Sequence, residues 1–164
     1  NPGKGWALID AGGQPVAVIN LSGSLYLDVP RGAFQVIDKV LGELPKDVRH
    51  VIVDIHAEAT SEKIAMGYYL DGRVTAVIGT HTHVQTADEK ILPGGTAYIT
   101  DAGMTGPRDS VIGVKKDIIL KRFLTEMPVR FEVAEEDVWI EGVLIESDSD
   151  GRATAITRLQ EPAA

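Results

Sequence analysis

Residues 51–83, VIVDIHAEATSEKIAMGYYLDGRVTAVIGTHTH, decide the fold class. Val51–Asp54 is a short apolar run ending in an acid, and HAEATSEK leaves the strand tip before a predicted helix from Ser61 to Leu70. Gly72 stands where that helix would stop. Val74–Ile78 is a second buried strand, followed at once by Gly79-Thr80-His81-Thr82-His83. Strand, helix, strand is the unit of a layered α/β protein, in which polar residues just past the carboxyl ends of the strands gather at the site. His56, His81 and His83 all follow predicted strands, so two neighbouring strands would bring three imidazoles into one small volume.

Outward from this unit the signals continue. Trp6–Ile9 and Val16–Leu21 are apolar stretches around a Gly-Gly-Gln-Pro turn signal and read as paired strands. Arg31–Leu41 sets Ala33, Val36, Ile37, Val40 and Leu41 at helical spacing, with Pro30 before the start and Gly42 at the stop. After Pro93-Gly94-Gly95, TAYIT reads as a strand ending at Asp101. DAGMTGPRDSVIGV follows, too rich in Gly and Pro for a regular element and therefore a candidate active-site loop. Lys115–Glu126 has four-residue apolar spacing and predicts a helix with a broad apolar side, closed by Met127-Pro128. VRFEVA, VWIEGVLIES and ATAITRL alternate apolar and polar residues, which predicts antiparallel strands with one covered face in the same sandwich.

Composition bounds the function. The 164 residues, 44% hydrophobic, suffice for one core. No apolar run approaches the ~20 residues that cross a bilayer, and nothing near Asn1 has the shape of a signal peptide, so no membrane partner is expected. Cysteine is absent, which excludes a disulfide framework, a thiolate cluster and a thiol nucleophile and fits a cytoplasmic address. The net charge of -8 opposes binding of duplex nucleic acid, and the lack of an aromatic and basic track opposes direct RNA binding. Small anionic ligands remain open. Neither a dinucleotide fingerprint, a phosphate-binding ATPase loop nor a nucleophile elbow is present.

The histidines point to metal chemistry because neutral imidazole desolvates cheaply and offers a directional lone pair. Thr80 and Thr82 offer hydroxyls to the far side of a ligand, and Asp54 or Glu58 can hold an imidazole in one tautomer. Plainer readings stand beside these. A His-x-His pair also occurs in ordinary turns, His56 can cap or pack, Asp54 can satisfy a strand-end turn, and Glu58 can favour the positive end of a helix. Asp101 can orient a ligand or line the pocket, Arg108 and Lys115 can meet a phosphate oxygen or simply be solvated, and His50, at the opposite end of its strand, reads as solvated or structural. Three rings alone could hold one zinc-like ion; a two-ion hydrolase needs acidic or amide oxygens as well.

HAEATSEK, GTHTHVQTAD and YITDAGMTGP resemble the YmdB-like metallophosphoesterases, within the calcineurin-like phosphoesterase group. The resemblance implies an α/β fold, a metallophosphoesterase-like double β-sheet sandwich flanked by helices. It also implies two divalent or transition-metal ions, iron or manganese favoured and zinc possible, with His56 and His81 on one and His83 on the other. Residues 1–164 would be the carboxyl-terminal portion of a single metallophosphoesterase domain. An amino-terminal segment would complete the site with an Asp, a bridging Glu, an Asn and a proton-transferring His, so no catalytic acid or base is assigned within this chain. The implied activity is phosphodiester hydrolysis, with 2',3'-cyclic nucleotides favoured and the isolated 164 residues inactive; a homo-oligomer is open. The competing readings are a one-metal hydrolase using all three histidines and a regulatory or structural protein that keeps the fold.

Overall fold

The structure, a computed structural model, describes residues 3–27 and 31–163. Strands β1 (Trp6–Ala11) and β2 (Gln14–Ser22) form the expected antiparallel pair. Gly12 and Gly13 make the turn between them, both at positive φ, which glycine adopts without a Cβ clash. Helix α1 (Ala33–Glu43) runs through Gly42 rather than stopping there, and turns Ala33, Ile37 and Val40 inward. Pro30, expected ahead of it, lies outside the described residues.

The central unit is β3 (His50–His56), α2 (Thr60–Leu70) and β4 (Ala76–Thr80). β5 (Lys90–Ile91) and β6 (Ala97–Ile99) complete a six-stranded sheet ordered β1-β2-β3-β4-β6-β5. β2, β3, β4 and β6 are parallel, so their carboxyl ends share one edge. Then come β7 (Gly106–Pro107), α3 (Lys116–Thr125), β8 (Val138–Ser147) and β9 (Ala153–Pro162), with β7, β8 and β9 forming a three-stranded antiparallel sheet.

Alternation along β3 assigns the layers. Val51, Val53 and Ile55 join Ile37, Val40, Met66 and Leu70 in a core between the large sheet and helices α1 and α2. Each fully buried side chain of this size contributes about 1.5–3 kcal/mol. Ile52, with Ala76, Ile78 and Ala97, faces the other way and packs on Ile145, Ala153 and Ile156 of the small sheet. The molecule is thus the expected sandwich of two sheets flanked by helices.

Two expectations fail in the stretch before β8. VRFEVA is not a strand: within it only Val133 makes a bridge, to Val114. The broad apolar side of α3 is also largely uncovered, with Ile119 buried but Leu120, Phe123 and Leu124 at 57%, 74% and 83% exposure. Spacing reports which side chains share a face, and no described element lies over this one.

Candidate metal centre

His56 closes β3 and shares its parity with Ile52 and Asp54, so it emerges on the small-sheet side of the large sheet. Parallel register sets Asn20 beside Asp54 and His56 beside Thr80. The side chains follow that register. Asn20 Nδ2 donates to Asp54 Oδ2 at 2.6 Å, and Thr80 Oγ1 donates to Asp54 Oδ1 at 2.7 Å. His56 Nδ1 lies 3.1 Å from the same Thr80 hydroxyl. With its proton given to Asp54, that hydroxyl accepts from His56 Nδ1–H, which leaves the Nε2 lone pair free.

His81 meets His56 from the next strand. The rings pack edge to face with centroids 4.8 Å apart, and His81 Nδ1 is 3.0 Å from His56 Nε2. On its far side His81 Nε2 is 3.0 Å from Glu58 Oε2, so Glu58 holds the proton on Nε2 and frees Nδ1. With both rings neutral and in the tautomers that Thr80 and Glu58 select, two lone pairs face each other across this gap. Without a cation or proton between them they repel. Two nitrogens bonded to one ion at about 2.1 Å and cis to each other lie roughly 3.0–3.4 Å apart, and the observed spacing fits that edge.

His83 does not join the pair. Its Nδ1 is 3.1 Å from the carbonyl oxygen of Ile112, which can only accept, so Nδ1 carries the proton and Nε2 is free. Of the three rings expected in one volume, two are in contact and the third is engaged with the loop carbonyl of Ile112. Among the described residues no three His, Asp or Glu side chains form a group that could hold a metal ion. Backbone geometry caused the split: His81 has φ 113° and His83 φ 63°, both in the region favouring glycine, at a cost of order 1–3 kcal/mol each. Such strain persists where surroundings impose it, and here they do.

Asp101, fully buried past β6, accepts from Thr82 N at 3.0 Å and from Lys63 Nζ at 2.8 Å, while its other oxygen takes Gly103 N at 3.0 Å. Burial pushes its carboxyl up, but the hydrogen bonds from Lys63, Thr82 and Gly103 outweigh that and leave its pKa below 3.8. Asp101 thus anchors the His81–His83 turn from beneath. Its oxygens are taken up by the scaffold. Gly79 is equally committed, since a Cβ there would lie 1.7 Å from the Thr100 carbonyl oxygen.

Lys63, Glu62 and Asn20 were not singled out by sequence reasoning. Glu62, buried beside Lys63, accepts from Ser24 N at 2.7 Å and from Leu25 N at 3.3 Å, tying down the loop after β2. A Glu-Lys pair early in a helix looks solvated in the sequence, and the close approach of Gly23 to Glu62 and Ala57 shows how tight the space is. The basic residues near the loop have protein partners that the sequence did not indicate. Lys115 pairs with Glu132 at 2.8 Å, and the Arg108 guanidinium lies over the Trp139 ring at 3.6 Å. His50 sits at the opposite end of β3, 3.2 Å from Ser147 Oγ.

The sandwich of two sheets flanked by helices is consistent with a metallophosphoesterase fold. The chain belongs to the YmdB-like family, whose pattern matches residues 1–159. It is 50% identical over 159 residues to a 2',3'-cyclic-nucleotide 2'-phosphodiesterase of Bacillus subtilis (strain 168), covering 96% of this chain and 60% of that protein. A hypothetical protein from Thermus thermophilus superposes with a TM-score of 0.93 at 39% identity, over 100% of this chain and 64% of that one. A phosphatase from Mycoplasma pneumoniae superposes with a TM-score of 0.86 at 34% identity, over 96% and 57%. The chain therefore spans less than two thirds of each of these relatives. No described helix is long and apolar enough to cross a membrane.

Proposed function

We propose that the full-length protein is a metal-dependent phosphodiesterase acting on small phosphodiesters, 2',3'-cyclic nucleotides first among them. The observation that carries this reading is the facing pair, His56 Nε2 and His81 Nδ1 at 3.0 Å, each with its other nitrogen engaged so that the lone pair points inward. The likeness to the Bacillus subtilis enzyme supplies the substrate class.

In this reading His56 and His81 hold one ion and His83, through Nε2, holds a second. Residues 1–164 are the carboxyl-terminal portion of a single domain, and sequence beyond them supplies the remaining oxygen ligands and the bridging acid. The mixed nitrogen and oxygen set suits iron or manganese and accommodates zinc. Bound ions supply the Lewis-acid charge that polarises the phosphoryl oxygens. This chain's own contribution is orientation. Glu58 and the Thr80–Asp54–Asn20 series fix the two tautomers, and Asp101 with Lys63 holds the strained turn that aims His81 and His83 in different directions. A single-ion site of all three histidines is disfavoured by the His83 contact with Ile112.

Metal analysis and a phosphodiester panel on the full-length protein test the reading. Two ions per chain are expected, with loss of metal and of cleavage in His81→Ala and in His83→Ala, and a 10–100-fold weaker metal affinity in Glu58→Gln. One ion per chain with full cleavage by residues 1–164 alone would replace it with the one-metal hydrolase. Cleavage untouched by both alanine variants would end it.

A further inference from the structure

The loop after Asp101 builds a feature that the histidines do not use. Beside His83 lies a cleft of about 320 Å³, walled by Met104, Pro107, Ile112 and Trp139. That volume is at the small end of ligand sites, roughly 300–1,000 Å³, and suits one ring system rather than a polymer. Its mostly apolar wall also carries Arg108, which sequence reasoning offered as a phosphate contact. The guanidinium instead lies over the Trp139 ring, its carbon 3.6 Å from the centroid.

Both layers of this stack are fixed from outside. Trp139 Nε1 donates to Asp137 Oδ1 at 2.7 Å, and the Trp139 backbone pairs with Gly106 across β7 and β8. Arg108 Nη2 reaches Glu141 Oε1 at 3.4 Å, and Glu141 is itself held by Met104 N at 3.1 Å. The Arg108 side chain is still 39% exposed, so the stack is not enclosed by protein. A planar, weakly hydrated cation backed by an indole is a surface on which a nucleobase stacks, and a lysine cannot reproduce it.

We propose that the Arg108–Trp139 stack is the platform for the nucleobase of the substrate, setting the ring in the cleft while the phosphate reaches His83 and the paired histidines. The proposal rests on the phosphodiesterase reading, and it assigns specificity for a base-bearing diester to these two residues. Arg108 then acts through its plane rather than through its charge.

The test compares kcat/KM of the full-length protein for 2',3'-cyclic AMP and for glycerol 1,2-cyclic phosphate, which lacks a base. The nucleotide should be preferred, and Arg108→Lys and Trp139→Leu should each lower the nucleotide-to-glycerol ratio about tenfold, mainly through KM. An Arg108→Lys ratio equal to the unsubstituted protein's, or no preference to begin with, would overturn the platform. If neither diester is cleaved, the phosphodiesterase reading fails, and calorimetric titration decides the platform separately. Adenosine 3'-monophosphate binding more tightly than ribose 5-phosphate, with the difference lost in Arg108→Lys, supports it; equal binding overturns it.

Discussion

Helices α2 and α3 have 11 and 10 residues, yet α2 buries Glu62, Lys63, Met66, Gly67 and Leu70 while α3 buries Ile119 alone. α2 is the crossover between two parallel strands, so the sheet covers its inner face along its whole length. α3 is held at its margins, by Lys116 with Asp109 at 2.5 Å and by Arg122 over the Phe131 ring at 5.0 Å. A helix's contribution to this fold therefore follows from what lies beneath it, and in α2 even charged residues have become interior parts.

The contrast can be broken most sharply at Lys63. Lys63→Met leaves the Asp101 carboxylate buried without its partner and should cost about 3–5 kcal/mol in chemical denaturation. A loss below about 1 kcal/mol would mean that water reaches Asp101 and that the helix face is open in solution. Gly67→Ala is next, because a Cβ would stand 2.6 Å from the Tyr98 ring; a loss of about 1–3 kcal/mol is expected as the ring is pushed aside.

Acid probes the same side of the molecule more gently. Burial pushes the Asp88 carboxyl up, but hydrogen bonds from Thr100 and Thr86 prevail and hold it below 3.8, as at Asp101. Folded values below the unfolded one mean that the stabilisation is complete above about pH 5 and is lost as the pH falls through the unfolded and then the folded values. Thermal midpoints should be level as this boundary is approached from above and decline beneath it, less steeply in Asp88→Asn. The smallest effect belongs to α3, where Phe123→Ser or Leu124→Ser should change stability of the 164-residue chain by no more than about 0.5 kcal/mol. A cost of about 2 kcal/mol or more, on the order of a filled core position, would show that this face is covered in solution.

Much of the fold was legible because β3, α2 and β4 are written as buried runs separated by a helical period, and the glycine pair 12–13 marks its own hairpin. The sites of His56, His81 and His83 at strand ends were legible for the same reason. Their directions were not, since the divergence of His81 from His83 depends on positive φ values that Asp101 and Lys63 impose from other elements. VRFEVA shows the complementary limit. Its alternation is as regular as that of β8, but a strand needs a neighbour, and Val114 is the single bridging residue it finds. The stacking of Arg108 on Trp139 was not legible, because it joins residues 31 positions apart.

Glu62 and Lys63 are consecutive, so they leave α2 about 100° apart and grip loops on two sides of it. Ser24 and Leu25 hang from the first, and the Asp101 turn from the second. The two rims of the strand-tip edge consequently share one foundation. Hydrogen exchange should register this as a common opening event, in which the amides of Leu25, Thr82 and Gly103 lose protection at a matching rate whenever the helix lifts from the sheet.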